Sequence, residues 1–200
     1  MRIIDSPRAN PASLVIVPGA FNPPTRAHVR LAHSALDHAD AVLFALPSIL
    51  PHKEFTGASL EQRARMLTAI TSGNERFGTA VAAGGLYIDI AFEARREFPN
   101  TAITLLCGRD AAERIVGWSY DEPGTVERML AEFELLVAPR ESRYQPPEHL
   151  RSRIKTLETP NLDEYSSTRL RERLMRGENW QELAPEEIVG LIAEIYGSAP

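Results

Sequence analysis

Several features that often reveal function are scarce or absent in this chain of 200 residues. Cys107 is the only cysteine, so no disulfide can form within the chain and no thiolate cluster can hold a metal. The N-terminal segment lacks the apolar core of a signal peptide, and no apolar run approaches the roughly 20 residues of a membrane-spanning helix. A net charge of −5 provides no basic field for nucleic acid or an anionic membrane. We therefore expect a cytoplasmic protein that binds neither.

The common catalytic motifs are missing as well. The sequence contains no G-x-x-x-x-G-K-[ST] phosphate loop and no G-x-G-x-x-G dinucleotide fingerprint. It also lacks the G-x-S-x-G nucleophile elbow and the H-E-x-x-H zinc pair. His33, His38 and His149 form no set with metal-ligand spacing. These absences argue against a covalent hydrolase and against a metal site built from protein side chains.

What the chain does contain is an alternation of short apolar runs with helical patterns. Strands are predicted at 13–21, 41–46, 79–83, 102–107, 133–137 and 154–157, and helices at 27–39, 59–71, 88–97, 167–176 and 185–196, with a further helical stretch after residue 108. This order predicts a doubly wound, Rossmann-like α/β fold with a parallel sheet and helices on both faces. We expect one domain over residues 1–200, with the helices of 167–197 packed on it. Ligands of such sheets bind at the carboxyl ends of the strands.

The stretch VIVPGAFNPPTRAH, residues 15–28, leaves the first predicted strand through a Gly/Pro turn. Gly19 carries no side chain, so a ligand could approach the backbone there. Thr25 and His28 fall on one face of the first turn of the following helix, whose free N–H groups favour phosphate. His28 could donate a hydrogen bond to a phosphate oxygen. The alternative is a tight turn in which the histidine caps or packs locally.

A second candidate segment is EYSSTRLRERL, residues 164–174, where another helix begins. The hydroxyls of Ser166, Ser167 and Thr168 could cap free N–H groups or bind phosphate oxygens. Arg171 offers a planar fork that suits phosphate. A capped surface helix with solvated arginines is the alternative.

Two further segments follow predicted strands at the ligand edge. LPSILPHKEF, residues 46–55, carries Lys53 in a loop. LLCGRDAAERIVGW, residues 105–118, carries Gly108 and Asp110, and an aspartate there could accept hydrogen bonds from ribose hydroxyls. Trp118 lies eight positions after Asp110 and could either stack on a flat base or belong to the core.

In this order the four segments resemble the nucleotidyltransferase superfamily, and most of all its nicotinate and nicotinamide mononucleotide adenylyltransferases. Residues 19–28 fit G-x-F-x-P followed by [HT]-x-x-H, and residues 166–171 fit S-S-T-x-x-R. Residues 50–53 are similar to a P-P-H-K loop, and GRD with Trp118 is similar to a G-x-D strand end followed by tryptophan. Ala27 replaces a common glycine. Ile90 stands where bacterial nicotinate enzymes usually carry threonine.

The resemblance implies transfer of AMP from ATP to the 5′-phosphate of nicotinate or nicotinamide mononucleotide in NAD biosynthesis. ATP would be the co-substrate, Mg²⁺ would arrive with it, and the other partners would be small-molecule nucleotides. A homo-oligomer is compatible with this resemblance. The implied catalytic residues are Thr25, His28, Lys53 and Arg171, and the implied nucleotide-binding residues are Gly19, Ala20, Phe21, Asn22, Gly108, Asp110, Trp118, Ser166, Ser167 and Thr168. A phosphopantetheine-like acceptor, CTP as donor, or a non-catalytic nucleotide-binding protein remain as alternatives.

Overall fold

The computed structural model describes residues 1–8, 10–49, 57–139, 144–159, 162 and 164–197. Its strands are β1 (Arg2–Asp5), β2 (Ser13–Pro18), β3 (Ala41–Pro47), β4 (Phe77–Ala82), β5 (Ala102–Gly108), β6 (Glu134–Ala138) and β7 (Ile154–Thr156). Its helices are α1 (Arg26–Ala35), α2 (Leu60–Thr71), α3 (Tyr87–Glu97), α4 (Arg109–Gly117), α5 (Thr125–Glu132), α6 (Ser167–Met175) and α7 (Val189–Tyr196). Short 3₁₀ turns occur at Glu148–Leu150, Gln181–Leu183 and Glu186–Ile188.

Within the described residues the strands form one sheet in the order β1-β4-β3-β2-β5-β6-β7. The strands from β2 to β7 pair in parallel, which confirms the predicted doubly wound α/β fold. β1 differs, because it pairs antiparallel with β4 at one edge, with Arg2 opposite Val81. Its four residues are too few to produce a recognisable pattern, so the sequence did not predict this strand.

The central strands separate two cores by simple alternation, because successive side chains of a strand point to opposite faces. In β2, Val15 and Val17 pack on one face against α1, α2, α6 and α7. Leu14 and Ile16 pack on the other face against α3, α4 and α5. Helices therefore cover both faces of the sheet, and α6 and α7 share the core that supports α1.

Three boundaries differ from those expected by more than two residues, and one of them is the start of α7, which lies at Val189 after a 3₁₀ turn and not at residue 185. β2 ends at Pro18, not at Phe21, although the N–H of Gly19 still donates to the carbonyl oxygen of Ala45 at 3.1 Å. α1 ends at Ala35, because the next three residues form a turn in place of a further helical turn. Cys107 is a buried core residue, as predicted, and burial raises the pKa of its thiol to about 12.

The winding of the sheet reverses at β2, since β3 and β4 lie on one side of it and β5, β6 and β7 on the other. Loops that leave β2 and β5 therefore diverge at their carboxyl ends, which opens a crevice at this point. Among the helices that the structure describes, none has the length and apolar character needed to cross a membrane.

Candidate active site

A cavity of about 360 Å³ opens at this crevice. It is lined by residues of α1, of the start of α4, of the end of β6 and of the segment that leads into α6: Ala27, His28, Leu31, Gly108, Arg109, Asp110, Ala111, Arg114, Ala138, Pro139, Thr159, Leu162, Tyr165, Ser166 and Ser167. The structure thus brings His28, Gly108, Asp110, Ser166 and Ser167 to one space, although they are up to 139 positions apart in the chain.

Three helices direct their amino-terminal turns toward the cavity. His28 lies in the first turn of α1, Gly108 is the N-cap of α4, and Ser166 is the N-cap of α6. The first N–H groups of a helix lack partners within the helix and carry partial positive charge. Three such ends around one cavity make it suited to an anionic ligand with several phosphate groups.

The ring of His28 has a fixed orientation. Its Nδ1 accepts a hydrogen bond of 2.9 Å from the backbone N–H of Thr25, which is the N-cap of α1. The hydroxyl of Thr25 lies 2.8 Å from the same nitrogen and donates at 2.8 Å to the carbonyl oxygen of Tyr165. Histidine here takes the place of the Glu or Gln that usually completes a capping box. The ring is further held by Phe21, whose centroid lies 5.1 Å away.

Burial lowers the pKa of His28 to about 4, so the imidazole is neutral at neutral pH. A neutral imidazole carries one proton, and Nδ1 already accepts from Thr25. The proton therefore resides on Nε2. A residue that lines the cavity is thus held as a hydrogen-bond donor without carrying a permanent charge.

The residues of the turn at 19–22 do not line the cavity, but the ring of Phe21 contacts His28, which does. Phe21 has a positive φ of 47° and is buried, and its ring also contacts Phe44 at 5.7 Å between centroids. A Cβ on Gly19 would come within 2.9 Å of the Phe21 ring. The neighbouring aromatic ring thus gives a structural reason for glycine at this position, and the ligand access that the sequence suggested stays a prediction.

The carbonyl groups of this turn and of the next residue are held by side chains from two helices, α2 and α6. Arg63 of α2 donates to Ala20 O at 2.9 Å. Arg171 of α6 donates to Asn22 O, and Ser167 donates to Pro23 O at 2.8 Å. Since both α6 residues belong to the S-S-T-x-x-R segment, the two ends of the candidate site are directly joined.

The side chain of Asn22 is held in the same way. Its Oδ1 accepts from the backbone N–H of Ala58 at 3.2 Å and from the hydroxyl of Tyr196 in α7. The start of α2 and the end of α7 therefore meet at one buried amide oxygen. These two hydrogen bonds fix the turn, and none of the residues that form them lines the cavity.

The predicted site residues fall into distinct positions. Thr25 is buried behind His28, and Thr168 is exposed and accepts a 3.5 Å hydrogen bond from Arg171. Ser166 accepts from the N–H of Arg169 at 3.1 Å, so its hydroxyl caps α6 as well as lining the cavity. Lys53 lies outside the described residues.

Trp118 follows α4 and is 63% exposed, which excludes the core position left open by the sequence. It lines a shallow hollow of about 430 Å³ together with Asp110, Glu113, Arg114 and Gly117. Asp110 and Arg114 belong to both this hollow and the cavity, so the two spaces are adjacent. An exposed indole beside a polar cavity is available to stack on a flat ring.

Ile90 is fully buried in the core formed with α3, α4 and α5, so this departure from the family pattern changes internal packing. It is not among the residues that line the cavity. In the part of the chain that the structure describes, no group of three or more His, Cys, Asp or Glu side chains could hold a metal ion.

Sequence reasoning missed three residues that support the site. Arg63 is only 5% exposed, although a helical pattern alone would place an arginine in solvent. Tyr196 lies 174 positions from Asn22, and Tyr165 contributes through its backbone carbonyl. No local pattern could reveal these contacts, since each depends on how α2, α6 and α7 pack around the turn.

Comparisons with known proteins give the same result over most of the chain. A family model described as cytidylyltransferase-like matches residues 16–173. A probable nicotinate-nucleotide adenylyltransferase of Exiguobacterium sibiricum is 30% identical over 184 residues, which cover 88% of this chain and 93% of that protein. One of Gloeobacter violaceus, with the same description, is 28% identical over 195 residues, covering 90% and 92%.

A solved structure supports the fold. The nicotinic acid mononucleotide adenylyltransferase of Plasmodium falciparum, complexed with NaAD, superposes with a TM-score of 0.67. The match covers 91% of this chain and 95% of that one, at 16% sequence identity. At this identity the similarity concerns the fold alone.

Proposed function

The chain belongs to the cytidylyltransferase-like family, and we propose that it transfers AMP from ATP to the 5′-phosphate of nicotinate mononucleotide. The observation that carries this proposal is the convergence of three helix amino termini and the His28 donor on one cavity. The names of the similar relatives support a pyridine mononucleotide as the acceptor and ATP as the donor.

In the proposed reaction a phosphate oxygen of the mononucleotide attacks the α-phosphorus of ATP in line. The bond from that phosphorus to the bridging oxygen of the β-phosphate breaks, and pyrophosphate leaves. The attacking phosphate is already ionised at neutral pH, so no general base is required. The protein accelerates this step by positioning the two substrates and by stabilising the charge that develops.

His28 is the central donor in this mechanism. Its Nε2–H reaches the ATP phosphates as negative charge grows in the transition state, while Thr25 fixes the ring from behind. Because the donor is already oriented, no reorganisation is needed when the charge develops. Thr25 thus acts by positioning His28 and by capping α1.

The α6 segment binds the same phosphates from the opposite wall. Ser166 and Ser167 line the cavity at the amino terminus of α6, where the first helical N–H groups favour an anion. Arg171 contributes positive charge and holds the turn through Asn22 O. Thr168 does not line the cavity, but its exposed hydroxyl, which accepts a 3.5 Å hydrogen bond from Arg171, is a further candidate for phosphate contact in this proposal.

The acceptor occupies the α4 side. The backbone at Gly108 leaves room for it, the carboxylate of Asp110 accepts hydrogen bonds from a ribose, and the indole of Trp118 stacks on the pyridine ring. Lys53 neutralises the acceptor phosphate in this proposal. Mg²⁺ enters as the MgATP complex, held mainly by phosphate oxygens and water.

Pyrophosphate release tests the proposal directly. ATP or CTP is offered with nicotinate mononucleotide, nicotinamide mononucleotide or phosphopantetheine, with the His28→Ala variant as the background control. We expect the fastest release from ATP with nicotinate mononucleotide. Faster release from CTP, or from phosphopantetheine, would assign a different transferase reaction. Absence of release with every pair would mean that the protein only binds nucleotides.

A further inference from the structure

Asp110, Arg114 and Trp118 follow one another at intervals of four residues along α4 and its C-cap. Side chains at this spacing share one face of a helix. Asp110 and Arg114 line both the cavity and the shallow hollow, and Trp118 lines the hollow alone. Arg114 is therefore the cationic side chain of α4 that stands between the phosphate-binding space and the exposed indole.

Within the part of the chain that the structure describes, Arg114 donates to a backbone oxygen and not to a carboxylate. Its Nε donates to the backbone oxygen of Asp110 at 3.3 Å, and among the described residues it forms no ion pair. Arg109, one turn earlier, contrasts with it, because its Nε lies 2.7 Å from Oε1 of Glu113. The two acidic side chains that also line the hollow are Asp110 and Glu113.

The charge of Arg114 also acts on Tyr87, the first residue of α3. Burial raises the pKa of the Tyr87 phenol, and the positive charge of Arg114 opposes this rise. The charge of Arg114 is thus felt at the start of α3, while its side chain lines the hollow together with Trp118.

We propose that Arg114 selects an acceptor that carries a carboxylate on its ring, and so favours the acid mononucleotide over the amide. This inference rests on the proposed function, since it assumes a pyridine mononucleotide acceptor. A guanidinium can pair with a carboxylate through two parallel hydrogen bonds. A carboxamide offers one oxygen acceptor, and its NH₂ group meets the donors of the arginine unfavourably. The ring stacked on Trp118 would place its substituent next to this fork.

Arg114 also lies in the last turn of α4, where any cation stabilises the helix. That role alone would make its replacement change stability without changing the choice of acceptor. Activity with two acceptors therefore separates a specificity role from a structural one. Because the side chain is exposed, its replacement leaves the core intact.

The experiment measures kcat/KM for nicotinate and nicotinamide mononucleotide in the wild-type protein, Arg114→Gln, Arg114→Lys and a control, Arg96→Gln. Arg96 is an exposed arginine in the last turn of α3, so its variant makes the same charge change away from the cavity. For Arg114→Gln we expect a loss of about 10-fold with the acid, mostly in KM, and a change below about 2-fold with the amide. Arg114→Lys keeps the positive charge but loses the planar guanidinium, so its kcat/KM with the acid should lie between those of the wild type and Arg114→Gln. Arg96→Gln should match the wild type with both acceptors.

Equal losses with both acceptors would overturn the inference, because they would indicate a contact with the phosphate that the two share. A wild-type preference for the amide would overturn it as well. Wild-type turnover of nicotinate mononucleotide keeps the proposed function standing in both cases. If the wild-type protein consumes neither, the proposed function is wrong and this inference falls with it.

Discussion

The backbone N–H of Thr25 donates a 2.9 Å hydrogen bond to Nδ1 of His28, and this contact determines which ring nitrogen can donate a hydrogen bond to a ligand. A neutral ring that accepts at Nδ1 carries its proton at Nε2. The hydroxyl of Thr25 extends the arrangement to the carbonyl of Tyr165, just before α6. The orientation of the donor thus depends on the segment that also forms the opposite wall of the cavity.

Replacement of His28 by alanine tests the role of this donor. Loss of a preoriented donor to developing charge typically lowers kcat by about 100- to 1000-fold, and we expect a loss in this range. His38→Ala removes an exposed histidine that lies outside the cavity and serves as the control. Near-normal turnover of His28→Ala, with circular dichroism matching the wild type, would exclude a catalytic role.

The dependence of stability on pH tests the burial of the same residue. Burial lowers the pKa of His28 from 6.5 to about 4, so the unfolded chain takes up a proton before the folded one does. Stability should therefore fall as the pH drops from 6.5 toward 4, by on the order of 3 kcal/mol from this group. His28→Gln restores the usual capping-box residue and cannot titrate.

Urea unfolding of the wild type and of His28→Gln over this pH range gives the comparison. Losses from other groups, such as the carboxyls of Asp40 and Glu93 with their lowered pKa values, are common to both proteins. As the pH drops, the free energy of unfolding should fall more steeply in the wild type than in His28→Gln. Parallel curves would show that His28 is accessible to protons in the folded state.

Gly108→Ser tests whether the space beside the α4 N-cap is needed by a substrate. A Cβ there would meet no atom within 4 Å, the φ of −78° suits any residue, and serine is a favoured N-cap. We expect unchanged or slightly higher stability, with KM for one substrate raised about 10-fold, equivalent to about 1.4 kcal/mol of lost binding. Gly73→Ser is the control, since a Cβ at that exposed position also meets nothing. Unchanged KM values in Gly108→Ser would mean that the substrates do not approach this position.

Tyr196→Phe tests whether α7 positions the turn at residues 19–22. It removes one of the two donors to Oδ1 of Asn22, which should cost about 1 kcal/mol of stability and lower kcat several-fold. Thr101→Val removes a buried hydroxyl that donates to Pro11 O at 2.8 Å, near the amino end of β5. The control should lose similar stability and keep its kcat. An equal loss of kcat in both variants would assign the effect to stability alone.

The strand and helix order could be predicted because β2 to β6 are buried on both faces and read as apolar runs. β1 could not, because four residues at a sheet edge produce no pattern that distinguishes them from a loop. The prediction of parallel pairing is therefore confirmed for every described strand except β1. The end of β2 shifted because Arg63 and Arg171 hold the turn that follows it. The end of α1 shifted because Arg76 holds the carbonyl oxygens of Leu36 and Ala39.

Within the site, the sequence correctly indicated that distant segments would meet at one edge of the sheet. It did not reveal how they are joined. The buried guanidinium of Arg63 and the hydroxyl of Tyr196 act on Ala20 and Asn22 only because α2 and α7 pack beside the turn. Nor did it reveal that the ring of Phe21 lies where a side chain at Gly19 would be.

The most direct test of the central claim follows the phosphorus atoms themselves. MgATP and nicotinate mononucleotide are mixed with the protein, and the products are identified by phosphorus NMR. We expect the α-phosphorus of ATP to appear in a new dinucleotide pyrophosphate linkage, with one inorganic pyrophosphate formed for each dinucleotide. Release of orthophosphate, or recovery of both nucleotides unchanged, would contradict it.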